Sequence, residues 1–463
     1  MSSDTENTWR QRFAKESGLL AIAQSPIDTK LLCVQRFLRL FAYGASFLIL
    51  AQFLSSLGFS DEQIGIFMTL TLLGDVLISF LLTTITDQIG RRRILLAGAV
   101  LLSASGVVFA VSDNYWCLLA ASVLGVISPS GNEIGPFRAV EESILAHLTG
   151  KEERSDVFAW YTLFGTAGAA LGTLTCGWMV QVTTRQHGWM ENQAYRLVFV
   201  LYAVLGIAKL VLVCLLSPLV ELDDQYQAVS RTHDENTSLL GPSTAELNRP
   251  KPTIGQTVRR LLPSISHETR SILYRLIFLF AIDSFASGMA SPSWLTYFFT
   301  TIHSLEPWKL GTLFLTTNIL ATVSNIAALP LARRIGPLKT MVFTHLPSAV
   351  FLAAIPLPAP STLGTPLAMI FLALRACTQS MDQAPRQAFL AAAVLPAERT
   401  AVLGVVNVAK TLAQAGGIGS SGFLAARKLW TVTLGGAGVL KALYDICMLW
   451  MFLGLEARED AGR

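Results

Sequence analysis

The hydrophobic residues of this chain fall into twelve long apolar runs, which are separated by shorter polar segments. Most runs have about twenty residues, the length that an α-helix needs to cross the hydrocarbon core of a bilayer. They are about twice as long as membrane β-strands and lack the strict alternation of such strands. The pattern therefore predicts an all-α membrane protein with twelve transmembrane helices, TM1 to TM12. The runs lie near 37–57, 64–86, 94–111, 115–137, 157–181, 197–217, 272–299, 310–332, 340–356, 364–394, 401–425 and 431–455.

The composition agrees with this prediction. Hydrophobic residues make up 52% of the 463 residues and charged residues only 14%, whereas soluble domains carry roughly 25% charged residues. Disordered chains are polar and charge-rich, so this class is excluded. The net charge of +4 is too small and too dispersed to indicate a nucleic-acid partner. The six cysteines are widely spaced without a CxxC pair, so we expect free thiols.

Basic residues near the ends of the runs predict the orientation. Arginines 91–93 follow TM2 and arginines 333–334 follow TM8, whereas the loop at 58–63 contains acidic residues and no basic ones. Basic loops stay on the cytoplasmic side, and an even number of spans then places both termini in the cytoplasm. We expect the protein in the plasma membrane, with a vacuolar or other internal membrane as the alternative.

The longest polar segment divides the spans into two groups of six. Residues 221–270 are rich in charge and proline, which is typical of a flexible linker. The expected organisation is a cytoplasmic tail at 1–35, a six-helix bundle at 36–217, a cytoplasmic linker at 218–270, a second bundle at 271–456 and a tail at 457–463.

The two halves also resemble each other in sequence. An offset of 246 residues aligns Gly65 with Gly311 and Gly90 with Gly336. An offset of 245 aligns Glu153-Arg-Ser155 with Glu398-Arg-Thr400, and Gly172 and Gly177 with Gly417 and Gly422. An offset of 249 aligns Glu133-Ile-Gly-Pro136 with Asp382-Gln-Ala-Pro385. Three collinear matches predict two pseudo-symmetric bundles related by an axis along the membrane normal.

The loop between TM2 and TM3, Asp87-Gln-Ile-Gly-Arg-Arg-Arg93, resembles the signature loop of the major facilitator superfamily. It departs from that signature at Thr83, which replaces a glycine, and at Gln88, which replaces a basic residue. The stretch from Leu57-Gly-Phe-Ser60 to Ile64-Gly65 resembles the drug-efflux-like branch, although TM5 lacks the proline of the efflux antiporters. The resemblance implies the fold of that superfamily and a gating role for Asp87, Gly90 and Arg91. Anchoring of the arginines to lipid phosphates is the alternative.

Ionisable residues inside the spans are candidates for function, because burying a charge in a bilayer is costly. Carboxylates at the middle of a span can take up a proton on one side of the membrane and release it on the other. Glu133 has an ion pair with Arg138 as an equally weighted alternative. The proton-coupling candidates are Asp75 in TM2, Glu133 in TM4, Asp283 in TM7 and Asp382 in TM10.

TM10 carries the most informative polar pattern. Arg375, Gln379, Asp382 and Arg386 follow at steps of four, three and four, which predicts one polar face of a long helix. Asp382 and Arg386 are expected to pair, and so are Lys441 and Asp445 in TM12. The substrate-cavity candidates are Arg39, Tyr43, Arg375, Gln379 and Lys410.

These features favour a secondary active transporter that moves a small organic solute by alternating access. Proton-coupled efflux of a metabolite or drug is the first hypothesis. Uptake or vacuolar transport of a polar anionic or zwitterionic solute is the second, and a transport-dead sensor or scaffold is a third. The chain lacks HExxH, GxSxG and P-loop motifs, and its histidines lack metal-ligand spacing. We therefore expect no enzymatic activity, no cofactor and no metal; the expected partners are the solute, protons and lipid, and the expected state is a monomer.

Overall fold

The computed structural model of the chain describes residues 18–125, 127, 136–150, 153–221, 267–383, 385–386, 389–390 and 398–461. Within these residues the secondary structure is helical, without a strand. All twelve predicted spans contain helix, so the all-α prediction is confirmed. Eight helices in the described part of the chain are long and apolar enough to cross a membrane, and Tyr115–Leu124 and Leu338–Ala354 are apolar but shorter.

The helices of the first half are TM1 (Ile27–Ser56), TM2 (Asp61–Ile89), TM3 (Arg91–Val111), TM4 (Tyr115–Leu124 and Pro136–Leu148), TM5 (Arg154–Arg185) and TM6 (Glu191–Cys214). Those of the second half are TM7 (His267–Met289 and Pro292–Thr301), TM8 (Pro307–Ile335), TM9 (Pro337–Ala354), TM10 (Gly364–Gln379), TM11 (Arg399–Ala426) and TM12 (Gly436–Ala461). A short helix, Leu19–Gln24, precedes TM1; a 3-10 turn, Pro218–Val220, follows TM6; and a π-turn, Thr431–Gly435, leads into TM12.

Several boundaries differ from the sequence prediction: the end of TM4 moves from residue 137 to Leu148, and TM1 and TM10 differ as follows. TM1 begins at Ile27, ten residues before the predicted apolar run, because its first turns are amphipathic and bury Leu32 and Cys33 against the first bundle. TM10 ends at Gln379 with Ser380 as its C-cap, so the expected long helix over 364–394 is interrupted. The hydroxyl of Ser380 donates a hydrogen bond of 2.8 Å to the carbonyl of Ala321 in TM8, which fixes this helix end.

The glycines that match between the two halves also make matching contacts. A Cβ atom on Gly65 would lie 2.8 Å from the Cα atom of Gly422, and one on Gly177 would lie 3.1 Å from the Cα atom of Gly311. Real Cβ atoms essentially never approach a neighbouring backbone to under 3.0 Å, so Gly65 allows TM2 and TM11 to cross at backbone contact. TM5 and TM8 cross in the equivalent way, and close crossing through small residues is typical of membrane helices. The sequence repeat is therefore a repeat of helix crossings between the bundles.

The hydrogen bonds that join described residues of the two halves lie toward one end of the molecule. We call it the far end, because it is opposite the basic loops after TM2 and TM8. The Tyr297 hydroxyl donates a hydrogen bond of 2.6 Å to Asp61 Oδ1, and Gln52 Nε2 donates one of 3.2 Å to Thr300 Oγ1. The Thr69 hydroxyl donates a bond of 3.1 Å to the carbonyl of Ala415. The two bundles are thus held together at the end that the charge pattern predicts to be extracellular.

Candidate functional site

The first bundle contains a buried cluster of charges around Glu141, whose side chain has no exposed surface. Glu141 Oε2 accepts hydrogen bonds of 2.6 Å from Arg39 Nη2 and from the Tyr161 hydroxyl. Lys209 Nζ lies 3.3 Å from Glu141 Oε1. Arg36 lies one turn before Arg39, and its guanidinium carbon is 4.2 Å from the centroid of the Tyr161 ring. These five residues, the N-half cluster, connect TM1, TM4, TM5 and TM6.

Gly165 makes room for this cluster. A Cβ atom on this glycine of TM5 would lie 2.6 Å from Arg36 Nε, closer than two such atoms can approach. The arginine therefore passes over TM5 at the only residue type that leaves space for it, and it stacks on the face of Tyr161. A cation over an aromatic face is stabilised by the ring quadrupole, more so when both are desolvated.

The second bundle contains a cluster around Asp283. Lys441 Nζ donates a hydrogen bond of 2.6 Å to Asp283 Oδ1, and Arg386 Nη1 lies 3.2 Å from Asp283 Oδ2. Arg386 also contacts Asp382. His345 in TM9 continues the network: its Nε2 lies 4.0 Å from Asp283 Oδ1, and its Nδ1 lies 2.9 Å from an oxygen of Asp445. These six residues form the C-half cluster, which connects TM7, TM9, TM12 and the segment that follows TM10.

The two clusters occupy matched positions with the signs of two charges exchanged. Glu141 in TM4 and Arg386, seven residues after the end of TM10, are 245 residues apart, which is one of the repeat offsets, and Arg39 in TM1 and Asp283 in TM7 are 244 residues apart. In the first half an ion pair joins TM1 to TM4, and in the second half an ion pair of opposite polarity joins TM7 to the segment that follows TM10. A lysine from TM6 or TM12 completes each cluster. Removal of one partner from such a buried pair leaves an uncompensated charge, so the clusters tie the outer helices to the bundles.

The structure confirms one expected pair and corrects another. Asp382 and Arg386 are in contact, as the sequence predicted. The expected pair of Lys441 with Asp445 was wrong, because Lys441 reaches TM7 and binds Asp283, whereas Asp445, one turn later, turns toward TM9 and binds His345. The i, i+4 spacing permits a contact, but packing against different neighbours separates the two side chains.

Asp75 differs from every carboxylate in these clusters. It lies in TM2 fourteen residues from each end of the helix, or about 21 Å from each end. Its side chain is fully buried. The Ser79 hydroxyl is 3.5 Å from Oδ1, and Oδ2 has no hydrogen-bond partner among the described residues. No cation of the described chain forms an ion pair with Asp75.

The polar neighbours of Asp75 place it toward TM4. Thr71, one turn earlier on the same face of TM2, shares a hydrogen bond of 2.7 Å with the Ser122 hydroxyl. TM4 ends its first helical segment two residues later, at Leu124, with Gly125 as C-cap. Asp75 is therefore placed beside the point at which the first helical segment of TM4 ends. Glu133, the other carboxylate expected there, lies outside the described residues.

Arg375 is the corresponding exception among the cations. It lies in TM10, eleven residues after Gly364, and is 9% exposed. Its buried Nε has no hydrogen-bond partner, and the guanidinium forms no ion pair within the described residues. Gln379, the other candidate on this helix, is the last residue of TM10, and its side chain is exposed.

The remaining cavity candidates have individual neighbours. Arg39 belongs to the N-half cluster. Tyr43, one turn after it, is half-buried, and its ring centroid is 5.3 Å from that of Phe47. Lys410 in TM11 is half-buried, and its Nζ lies 5.5 Å from the centroid of the Phe280 ring.

The loop after TM2 is built around Gly90, the N-cap of TM3, which has a φ of 98°. The side chain of Glu221 accepts hydrogen bonds of 2.8 Å from the backbone N–H of Arg91 and 3.0 Å from that of Arg92. A carboxylate at a helix N-terminus is stabilised by these otherwise unpaired donors and by the helix dipole. The side chain of Arg91 is buried, and the side chain of Asp87 lies outside the described residues.

Sequence reasoning did not single out Glu141, Tyr161, His345 or Glu221. The predicted TM4 run ends at residue 137, four residues before Glu141. The offset of 245 residues, which places Glu141 opposite Arg386, is the signal that identifies it. Within the described residues no group of histidine, cysteine and carboxylate side chains is placed to hold a metal ion.

Comparison with known proteins gives the family. Residues 32–376 match the sequence profile of the Major Facilitator Superfamily. A membrane protein of Saccharomyces cerevisiae without an assigned function is 37% identical over 435 residues, which cover 93% of this chain and 95% of that protein. The quinolone resistance protein NorA of Staphylococcus aureus is 24% identical over 169 residues, or 36% of this chain and 42% of NorA.

The fold comparison agrees with the sequence comparison. The structure of a proton-dependent oligopeptide transporter superposes with a TM-score of 0.68 at 14% identity, over 93% of this chain and 99% of that one. Twelve helices in two pseudo-symmetric bundles, matched crossings between the bundles and a profile match over most of the length all lead to one assignment. The chain belongs to the Major Facilitator Superfamily and has the fold of a membrane transporter, not of an enzyme.

Proposed function

We propose that the chain is a proton-coupled secondary transporter of a small organic solute, and that Asp75 carries the proton. The observation that supports this most is the contrast between Asp75 and the other carboxylates buried in the interior of the described spans. Glu141, Asp283 and Asp382 each contact a lysine or arginine, and Asp445 contacts His345. Among the described residues, Asp75 alone is buried at the middle of a span without such a partner.

A carboxylate in this environment favours its protonated form, because the ion would be desolvated without compensation. It ionises when the surrounding helices move and admit water. Proton binding is thereby linked to which side of the membrane the site faces, which is the requirement for coupling. Asp283 and Asp382, the earlier coupling candidates, hold lysine and arginine partners instead, so we assign them to a structural network. Glu133 stays a candidate.

Alternating access requires that the two bundles can separate at one end while they close at the other. The hydrogen bonds and glycine crossings between the bundles lie toward the far end. The internal ion pairs hold each bundle together as a unit. This arrangement supports rocking of two rigid bodies, with the present state closed at the end that we take to be extracellular. The two bundles of one chain supply the whole pathway, so we expect a monomer to be sufficient.

Efflux of an amphiphilic metabolite or drug at the plasma membrane is the direction that we favour, because one relative is the quinolone resistance protein NorA. The second candidate is uptake or vacuolar transport of an anionic or zwitterionic solute. A specific observation supports it, namely the buried guanidinium of Arg375, which forms no ion pair with a described residue. A sensor or scaffold that binds a solute without moving it is the third candidate.

The test uses the full-length chain in sealed liposomes. Two probes of opposite charge are suitable: ethidium, a fluorescent amphiphilic cation, and radiolabelled nicotinate, a small carboxylate. We expect an imposed pH gradient to drive accumulation of a probe in wild-type liposomes. Asp75→Asn preserves the shape of the side chain but cannot exchange a proton, so gradient-driven accumulation should be lost. Ser79→Ala is the matched control and should retain it.

Two outcomes would contradict the proposal. Gradient-driven accumulation that persists in Asp75→Asn would remove this residue from the coupling mechanism. Binding of a probe without flux under any pH or voltage gradient would favour a transport-dead sensor.

A further inference from the structure

Arg375 is a buried cation that has no ion-pair partner among the described residues. Its side chain is 9% exposed, its Nε has no hydrogen-bond partner, and no described carboxylate lies within ion-pair distance. It lies about 16 Å from the start of TM10 at Gly364 and four residues before the helix ends at Gln379. An unpaired ion at this depth destabilises a membrane protein unless a partner arrives.

The other cations in the interior of the described spans have such partners. Arg39 and Lys209 contact Glu141, and Lys441 contacts Asp283. Arg36 and Lys410 lie over the rings of Tyr161 and Phe280. Arg375 has neither a carboxylate nor an aromatic partner among the described residues. The exception is therefore specific to this residue and is not a general property of the bundles.

The nearest acidic residue along the chain is already engaged. Asp382 lies seven residues after Arg375, and the sequence pattern had placed both on one face. TM10 ends at Gln379, and Asp382 contacts Arg386 beyond the end of the helix. Arg386 in turn contacts Asp283. Asp382 thus serves the C-half cluster and is not available to Arg375.

We infer that the guanidinium of Arg375 binds a carboxylate group of the transported solute, an inference that rests on the proposed transport function. A guanidinium presents a planar fork of N–H donors that matches the two oxygens of a carboxylate. One carboxylate neutralises one guanidinium, whereas a doubly charged phosphate would leave a negative charge uncompensated in a site with little water. A small organic monocarboxylate is therefore the solute class that this site fits.

Binding is tested on the purified full-length chain in detergent by thermal unfolding. The probes are two matched pairs, nicotinate with nicotinamide and benzoate with benzamide, whose members differ only in the charged group. We expect a carboxylate probe to raise the unfolding temperature of the wild type and its amide to leave it unchanged. Arg375→Gln should weaken carboxylate binding roughly 10- to 100-fold, the effect of losing charge-assisted hydrogen bonds. Arg375→Lys keeps the charge without the fork and should bind at an intermediate level.

Two further variants separate binding from folding. Arg427→Gln removes an exposed arginine that bonds the carbonyl of Phe423 at the far end, and it should bind like the wild type. Arg375→Met removes a buried charge that no described residue pairs, so without any probe it should unfold at a higher temperature than the wild type. If Arg375 had a structural role, Arg375→Met would instead lower the unfolding temperature, as we expect for Lys441→Met.

Three results would overturn the inference. The first is an unfolding temperature of Arg375→Met that is lower than that of the wild type without probe, and the second is undiminished carboxylate binding by Arg375→Gln. The third is that no carboxylate probe stabilises the wild type, or that the amides stabilise it equally. Proton-driven flux of ethidium that Arg375→Gln leaves intact would also overturn the inference, while the proposed function would stand. Absence of all gradient-driven flux in the wild type would contradict the proposed function itself.

Discussion

The exchange of charges between the two halves leads to a prediction about Glu141. Its buried carboxylate is bonded to Arg39 and Tyr161 at 2.6 Å and lies 3.3 Å from Lys209. Glu141→Gln would leave two buried cations without the described carboxylate that compensates them. Breaking a buried ion pair by removal of one partner lowers the free energy of unfolding by about 3–5 kcal/mol. With two cations affected, we expect a value near the upper end of that range.

The neighbouring residue supplies a matched control. Glu142 pairs with Arg138 at 2.7 Å, and both side chains are partly exposed, by 31% and 47%. Exposed i, i+4 pairs contribute about 0.3–0.5 kcal/mol, so Glu142→Gln should change stability little. The same substitution at adjacent positions is thus expected to differ roughly 1000-fold in the ratio of folded to unfolded protein.

A double substitution tests the reversed polarity. Arg39→Glu together with Glu141→Arg gives the first half the arrangement of the second, with an anion on TM1 and cations on TM4 and TM6. Lys209 would then pair with the anion on TM1, as Lys441 pairs with Asp283. We expect the double variant to recover more than half of the stability that either single variant loses.

These differences are measured by thermal unfolding in detergent. Size-exclusion chromatography of a fluorescent fusion serves as the readout. Equal unfolding temperatures of Glu141→Gln and Glu142→Gln would refute the view that the N-half cluster stabilises the bundle. A double variant that is no more stable than the single variants would refute the equivalence of the two clusters.

Three further predictions concern other contacts. Gly65→Ala places a Cβ atom within 2.8 Å of the TM11 backbone, so we expect it to separate the bundles at the far end. A longer distance between spin labels on the far-end loops would show this separation. The control is Gly404→Ala, whose Cβ meets nothing within 4 Å and which should leave that distance unchanged. Glu221→Gln keeps hydrogen-bond acceptors but removes the charge at the N-terminus of TM3, and we expect about 0.3–1 kcal/mol lower stability, measured by thermal unfolding and contradicted by a rise. Lys441→Gln should lower the unfolding temperature through loss of the Asp283 pair, and an unchanged temperature would show that Arg386 alone compensates Asp283.

The positions of the spans could be predicted from the sequence, because burial in a bilayer requires long apolar runs and little else has that length. The duplication could also be predicted, since helix crossings at backbone contact require glycines at fixed spacings. Gly65 and Gly422 show this: each was found by its spacing, and the structure brings the two together. The start of TM1 could not be predicted, because its first turns are amphipathic and carry no apolar run.

Side-chain pairs between different helices could not be predicted from the sequence. Periodicity assigns residues to the faces of one helix, but it does not say which other helix packs against each face. Lys441 was therefore assigned to Asp445 on its own helix, although it binds Asp283 on another. Glu141 was missed because it lies beyond the predicted end of the TM4 run. His345 was missed because a histidine carries no formal charge in the sequence pattern, although it joins two aspartates. In contrast, Asp75 and Arg375 were candidates from the sequence, and the structure distinguishes them from the other charges by the absence of described partners.

The central claim is that movement of a solute is coupled to a proton carried by Asp75. Coupling is reciprocal, so a solute gradient must also move protons. The most direct measurement is the pH inside liposomes that contain a trapped pH-sensitive dye, after a solute gradient is imposed with equal pH on both sides. We expect wild-type liposomes to show a change in internal pH that Asp75→Asn abolishes and Ser79→Ala retains. Solute flux without any pH change in the wild type, or an undiminished pH change in Asp75→Asn, would contradict the account.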